Sequence, residues 1–327
     1  DSKKKIGKTI YGKKIISLDQ LIKLSKRINI DKILIAIPSL KQNEVLNIYN
    51  KIFPITKNIS SLPNKEYFKN RNVNFDDLID LNVEEILNRK IFQINFKKLN
   101  KYQNKTILVT GGAGSIGSEI CKQLMLCRPR KIIIIDQSEY NIYLLNKKII
   151  SNKIQAYLID INNTKIVRDI IIKRKVDYIF HAAAYKHVNL LEKNHISAIK
   201  NNFIGTLSIL RAIKGLSVNL SIISTDKAVF PKSILGITKR ASEIVAGNFS
   251  KQFDYKKAKI NIVRFGNVFG SQGSAIETFV DQIKNQKEIT ITSYNMKRYF
   301  MSIREACNLV IQSSALEFKD KIFILEM

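Results

Sequence analysis

At 327 residues and 45% hydrophobic content, the chain is long enough for two domains with substantial cores. Its formal charge of +28 comes from 55 Lys and Arg against 27 Asp and Glu, with lysine far more common than arginine and spread along the whole sequence. Nucleic-acid readers concentrate arginine in a stripe with interleaved aromatics, so no nucleic-acid partner is expected. No run approaches the roughly 20 apolar residues of a membrane span, and the charged first residues lack the apolar stretch of a secretory signal.

In chain order, the first feature is a lysine cluster: Lys3, Lys4, Lys5, Lys8, Lys13 and Lys14. It is either a solvated basic end or, with membrane spans upstream, a cytoplasmic juxtamembrane segment. The chain starts at Asp1, not Met, which points to a piece of a longer protein. Residues 1–60 read as a partial α/β unit. Helical periodicity runs from Leu18 to Ile28, and Lys32-Ile-Leu-Ile-Ala-Ile-Pro is a buried strand closed by Pro38. Gln42 to Ile52 forms an amphipathic helix, and Ile55 to Ile59 a short strand. Residues 61–104 are polar, with scattered Phe75, Leu78, Ile79 and Leu81, and are expected to be a linker.

Residues 106–117, Thr-Ile-Leu-Val-Thr-Gly-Gly-Ala-Gly-Ser-Ile-Gly, are a strand, a tight turn and a helix start, with Gly111, Gly114 and Gly117 three apart. Such a turn presents backbone N–H groups and a helix N-terminus to phosphate, and a Cβ would block the approach. The next apolar run, Ile132 to Ile135, ends in Asp136, 19 residues after Gly117 and placed to bind the ribose hydroxyls of NAD.

From Lys105 to Met327 strands and helices alternate, with strands predicted at 106–110, 131–136, 154–160, 177–181, 219–224 and 260–265. The pattern predicts an α/β fold, a doubly wound parallel sheet with ligands at the carboxyl ends of its strands. Polar residues fall there: Asp160, His181 before three alanines, and Ser224-Thr225-Asp226-Lys227. Lys239 follows one helical segment later, in the position of a lysine below a nicotinamide ribose. A tyrosine usually precedes it by four residues; Leu235 stands there instead. Asp226 beside Lys227 supplies an acid and a base, as chemistry at two adjacent carbons requires. His181, His187 and His195 lie six and eight apart without an acidic cluster, so no metal site is read, and His181 is taken to line the cofactor site. Cys121, Cys127 and Cys307 lack metal-ligand spacing and are read as buried free thiols.

Gly111–Glu119, His181-Ala-Ala-Ala-Tyr-Lys-His-Val, Ser224-Thr-Asp-Lys-Ala-Val, Arg264-Phe-Gly-Asn-Val-Phe-Gly-Ser-Gln-Gly-Ser and Lys297-Arg-Tyr-Phe-Met resemble the CapD-like polysaccharide-biosynthesis family over about residues 90–327. Its members are nucleotide-sugar 4,6-dehydratases of the extended short-chain dehydrogenase/reductase superfamily. The resemblance implies NAD as cofactor and UDP-N-acetylglucosamine as substrate. An internal redox cycle oxidises C4, eliminates water across C5 and C6, and reduces C6, leaving a 4-keto-6-deoxy sugar. By the same resemblance Lys227 is the base at C5, Asp226 the acid at C6, Thr225 the partner of the C4 hydroxyl, and Lys239 the group that holds the ribose and favours the alkoxide. The cofactor is assigned to Gly111, Gly114, Ser115, Ile116, Gly117, Asp136, Ser138, Asp160, Ile161, Ala182, Ala183, Ala184 and Asn202. The substrate is assigned to Lys186, His187, Asn267 and Arg298, the last two at the diphosphate.

Long, membrane-anchored members typically carry Met at the position of Leu235 and short ones Tyr, so the leucine places the chain nearer the long branch. That branch implies a partial N-terminal Rossmann-like domain, upstream anchoring in a bacterial inner membrane with the catalytic domain facing the cytoplasm, and a homo-oligomer. The sugar-nucleotide lobe is expected to be incomplete at Met327. Two alternatives stay open: a nucleotide-sugar 4-epimerase, which needs no acid at C6, and a non-catalytic NAD-binding scaffold.

Overall fold

Short β-branched runs punctuated by glycine and asparagine build the centre of this protein. The computed structural model describes residues 5–37, 42–52, 54–56, 59–61, 79–80, 99–149, 151–252, 257–269, 271, 273–275, 278–279, 282, 285, 287–291, 293–316 and 320–325. The chain divides into two compact units, Asp1–Lys90 and Ile91–Met327.

In the first unit, β1 (Thr9–Ile10) and β2 (Lys13–Lys14) form a hairpin. Helix α1 (Leu18–Leu24) begins with a capping box: Gln20 N–H donates to Ser17 Oγ at 3.1 Å and Ser17 N–H to Gln20 Oε1 at 2.9 Å. Strand β3 (Ile33–Ile35) pairs in parallel with β4 (Ile59–Ser61), and β5 (Ile79–Asp80) pairs antiparallel with β4. Helix α2 (Gln42–Ile52) connects β3 to β4 and adds Tyr49 and Ile52 to a small core with Ile35 and Ile59. The strand predicted from Ile55 to Ile59 begins only at Ile59. The N–H groups of Ile55 and Thr56 turn back to Ile52 O at 2.9 and 3.4 Å, extending the end of the helix. Strand β5 lies inside the predicted linker, most of which falls outside the described residues, as do Lys3 and Lys4.

In the second unit seven strands pair in parallel: β6 (Thr106–Thr110), β7 (Lys131–Asp136), β8 (Ile154–Leu158), β9 (Tyr178–His181), β10 (Asn219–Thr225), β11 (Lys259–Phe265) and β14 (Ile322–Ile324). Their spatial order is β14-β11-β10-β9-β6-β7-β8. Alternate residues face opposite sides. Ile107, Val109, Ile132 and Ile134 pack with Ile120, Cys121 and Leu124 of α3 (Ser115–Met125) and with the helix Ile303–Ala315. Leu108, Ile133 and Ile135 pack with Val167 and Ile171 of the helix Thr164–Lys173 and with Ile209 and Ile213. A parallel sheet covered on both faces is the doubly wound, Rossmann-type arrangement that the alternation predicts. The order reverses between β6 and β9, so a crevice opens at the carboxyl ends of those two strands.

Strand β8 stops at Leu158, leaving Asp160 on the following turn, and β14 is a strand the sequence pattern does not predict. Outside the main sheet, β12 (Asn267–Phe269) pairs in parallel with β13 (Phe300–Ser302). Cys121 and Cys307 are buried free thiols, whereas Cys127 is only partly buried.

Candidate active site at the strand ends

Gly111 leaves β6 with φ +63° and donates its N–H to Ile135 O at 2.7 Å. A Cβ there would lie 2.6 Å from Ala183 Cα, so only glycine lets β6 and the strand end after β9 close together. Gly117, one turn into α3, presses on Gly111 O and would place a Cβ 2.6 Å from Gly112 Cα. Gly114 is the N-cap of this 11-residue helix, and no side chain caps it. Backbone N–H groups at an end without a side-chain cap, over a cradle that a Cβ would fill, fit a pyrophosphate. Ser115 and Ile116 begin the same helix.

Asp136 is buried at the end of β7, where Oδ2 accepts from Ala113 N–H at 3.0 Å and Oδ1 from Ser138 N–H at 2.9 Å. The carboxylate thus holds the glycine loop, and each oxygen keeps a further lone pair for a ribose hydroxyl. Ser138 caps the helix Glu139–Lys148 by accepting from Asn141 N–H at 3.2 Å. Asp160 Oδ1 accepts from Asn162 N–H and Nδ2 at 2.9 and 2.8 Å, and Ile161 is buried.

His181 does not line an open site. It is fully buried, with Nδ1 2.7 Å from Thr110 Oγ1 and Nε2 3.0 Å from Thr206 Oγ1. The Thr206 hydroxyl proton goes to Asn202 O at 2.7 Å, so Nε2 carries the ring proton and Nδ1 accepts from Thr110. Burial, then the charge of Lys239, brings its pKa down to about 3. His181 is a neutral bolt between strands because a ring with no water contact cannot hold charge cheaply.

Asn202 is also fully buried, in a π-helical turn (Ile199–Ile204) within the helical run from His195 to Ala212. Its Oδ1 accepts from Tyr185 N–H at 2.8 Å, and its Nδ2 donates to Tyr185 O at 3.1 Å and Thr238 Oγ1 at 3.3 Å. The amide is spent on clamping the Ala182-Ala183-Ala184-Tyr185 loop to helix Ile234–Phe249. Lys186 and His187 follow on the exposed side of that loop. Gly273, at φ +66°, packs on the His187 ring so closely that a Cβ would fall 2.6 Å from Cε1.

At the end of β10, Thr225 Oγ1 donates to Asp226 Oδ1 at 2.8 Å, and Lys227 Nζ donates to the same oxygen at 3.0 Å and to Asn267 Oδ1 at 3.1 Å. Four residues from two motifs converge here, with the Asp226 and Lys227 side chains 35% and 28% exposed. Asn267 N–H bonds Tyr299 O at 3.1 Å, which brings the exposed Arg298 to the same strand pair. Lys239 is buried and donates to Ile223 O at 2.8 Å. Desolvation pulls its pKa down to about 8, and Glu243 opposes the shift. Gly236 abuts Lys227 O, so the helix carrying Lys239 starts directly against the turn Thr225-Asp226-Lys227. Leu235 packs with Leu191 and Ala198 in an apolar cluster.

Sequence reasoning missed one network. Glu243, fully buried, accepts from Ser224 Oγ at 2.6 Å, from Arg264 Nε at 2.8 Å, from Arg264 Nη2, and from Arg240 Nη1 at 3.2 Å. Burial alone would raise its pKa, but the hydrogen bonds from Arg264, Ser224 and Arg240 hold it below the usual range. The available signal was Arg264 inside the otherwise apolar run Ile262-Val263-Arg264-Phe265, since an arginine in a buried strand needs a partner.

Residues 107–327 match the family described as Polysaccharide biosynthesis protein. The capsular polysaccharide biosynthesis protein CapD of Staphylococcus aureus is 38% identical over 318 residues, 95% of this chain and 53% of that protein, so the chain spans about half of that relative. The UDP-glucose 4-epimerase of Rickettsia canadensis (strain McKiel) is 34% identical, over 68% of this chain and 66% of its own length. The X-ray structure of Pen from Bacillus thuringiensis superposes with a TM-score of 0.66 at 32% identity, covering 69% of each chain.

Proposed function

Because the chain belongs to the polysaccharide biosynthesis protein family, we propose that it is part of a nucleotide-sugar-modifying enzyme of the extended short-chain dehydrogenase/reductase type. It uses NAD to convert UDP-N-acetylglucosamine, or a close UDP-N-acetylhexosamine, into a UDP-4-keto-6-deoxy sugar. The observation that carries this reading is the contact of Lys227 with Asp226 at 3.0 Å, at the end of β10. Elimination needs one group to take a proton and one to give it, whereas epimerisation at C4 needs neither at C5 and C6.

When bound, NAD supplies the hydride acceptor at C4 and the hydride donor at C6. The glycine cradle and the end of α3 would hold its pyrophosphate, and Asp136 its ribose. Lys239 would hold the second ribose and favour negative charge on the C4 oxygen. Elimination requires Lys227 as an amine and Asp226 as a carboxylic acid, which differ from the ion pair by one proton moved across their 3.0 Å contact. Lys227 Nζ then removes the C5 proton, made acidic by the C4 ketone, as Asp226 protonates the departing C6 hydroxyl. One water leaves, and the two residues return to ammonium and carboxylate. As C6 is reduced the Lys227 ammonium returns a proton to C5, matching the proton that the C4 hydroxyl releases on oxidation. Asn267, already bonded to Lys227, keeps the amine oriented.

The same reading places the intact protein on the cytoplasmic face of a bacterial inner membrane, through segments upstream of the lysine cluster at residues 3–14. Among the described residues, no helix is long and apolar enough to cross a membrane. A homo-oligomer is supported by Ile196, Ile199, Ile237 and Ile244, exposed apolar side chains on helical segments that contact each other.

The test is to incubate the intact protein with UDP-N-acetylglucosamine and follow the sugar by NMR. The proposal expects a new C6 methyl signal and loss of the C4 proton. A C4 epimer that keeps its C6 hydroxymethyl group would establish the epimerase alternative. Bound NAD with no product from any UDP-sugar would establish the scaffold.

A further inference from the structure

We propose that Glu243 is the positioning residue of this site: one buried carboxylate that locks three segments of the site in register and sets a negative charge one helical turn from Lys239. The inference rests on the role given to Lys239 above.

The geometry is specific. Ser224 and Arg264 are direct register partners on neighbouring strands β10 and β11, and Glu243 bridges them, accepting from both. Lys239 lies one turn before Glu243 on the same helix face, and it bonds Ile223 O, the residue next to Ser224. Two successive residues of β10 are therefore gripped by two successive turns of one helix. Thr225 and Asp226 continue directly from Ser224, and three residues past Arg264 comes Asn267, the partner of Lys227. Every group assigned to the chemistry is thus within three residues of an atom bonded to Glu243, or one helical turn from it.

Stability does not explain the arrangement. Buried ion pairs are commonly no better than apolar pairs of similar volume, because desolvation offsets the attraction. The charges around Lys239 point to a tuning role. From β9, His181 is neutral; after β10, Asp226 and Lys227 pair with each other; from β11, Arg264 is spent on Glu243. On its own helix, Arg240 also turns to Glu243, and Glu192 accepts from the helix start at Ile234 N–H. Among the described residues, Glu243, one helical turn away, is the charge that opposes the fall that burial imposes on the Lys239 amine.

The experiment compares NAD affinity from neutral to alkaline pH in the intact protein and in Glu243→Gln, which keeps the shape and an acceptor for Ser224 but removes the charge. Binding by the wild type is expected to weaken as Lys239 loses its proton. In Glu243→Gln that fall begins at lower pH, and a one-unit displacement is about a tenfold change in affinity along the limb. If the lone glutamine leaves Arg264 too poorly paired to fold, the double variant Glu243→Gln, Arg264→Met removes both buried charges and shows a displacement in the same direction, smaller because a cation leaves with the anion. A folded variant with the wild-type profile overturns the inference. A wild-type affinity independent of pH overturns the role of Lys239 and this inference with it. Failure of UDP-N-acetylglucosamine to react changes neither binding profile, so it counts against the substrate reading alone.

Discussion

Lowering the pH should destabilise this fold through one side chain, His181. In the folded protein its pKa falls from 6.5 to about 3, through burial first and the charge of Lys239 second. The unfolded chain therefore binds a proton that the native state refuses. A depressed histidine contributes stability that is full above pH 6.5 and is lost as pH falls toward 3. Between pH 7 and pH 5 the native ring stays neutral while the unfolded one titrates almost completely, which removes about 2 kcal/mol. The assay is urea unfolding at both pH values, for the wild type and for His181→Asn, a non-titrating residue that can still hydrogen-bond. The substitution carries its own stability penalty, and the high net charge adds a background slope. Both cancel in the difference between the two pH dependences. The wild type should lose about 2 kcal/mol more than the variant over this range. Equal losses would refute a neutral buried His181.

Gly117→Ala should weaken NAD binding more than about tenfold and destabilise the fold by about 1–3 kcal/mol, because the new Cβ meets backbone at Gly111 and Gly112; calorimetric titration and urea unfolding check both, and unchanged affinity would contradict the cradle. Lys227→Met should permit oxidation at C4 but not water loss, so NADH absorbance should appear with substrate and persist, without solvent deuterium entering C5. General-base loss costs about 10²–10⁴ in rate, and dehydration at the wild-type rate would put the base elsewhere. NAD should bind more tightly than NADP, because the Asp136 carboxylate would repel a 2′-phosphate; equal affinities at one ionic strength would remove that argument.

The central strands were legible because their signals are local. Ile107-Leu108-Val109 before Gly111, and Ile132 to Ile135 before Asp136, are apolar β-branched runs with a sharp polar stop, and both strands lie where the pattern predicts. The turn Thr225-Asp226-Lys227 was legible as a strand-end polar cluster. What escaped depends on partners distant in the chain. His181 looks like a site residue until Thr110 and Thr206, 71 and 25 residues away, are brought to its two nitrogens. Glu243 and Arg264 are 21 residues apart, and only the β10–β11 register reveals that they share Ser224. The start of β4 shifted because the end of α2 captured Ile55 and Thr56, a competition that apolar periodicity does not contain. Leu235 keeps its place in the sequence motif, yet its side chain belongs to a packing cluster.

The π-helical turn at Ile199–Ile204 has a consequence for how this segment can change in length. It widens an otherwise continuous helix, so the residues before and after it are out of phase with a regular α-helical count. One residue corresponds to about 100° of rotation in a regular helix. Removing one residue of the turn other than Asn202 would take up the extra residue, close the turn into ordinary α geometry and re-aim Asn202 inside it, while Thr206 beyond the turn keeps its phase. The clamp on Tyr185 would be disturbed even though Asn202 had not been altered. Exchanging the exposed Lys200 for another long side chain disturbs nothing of the kind. In this stretch the number of residues is constrained more tightly than the chemistry of those facing outward.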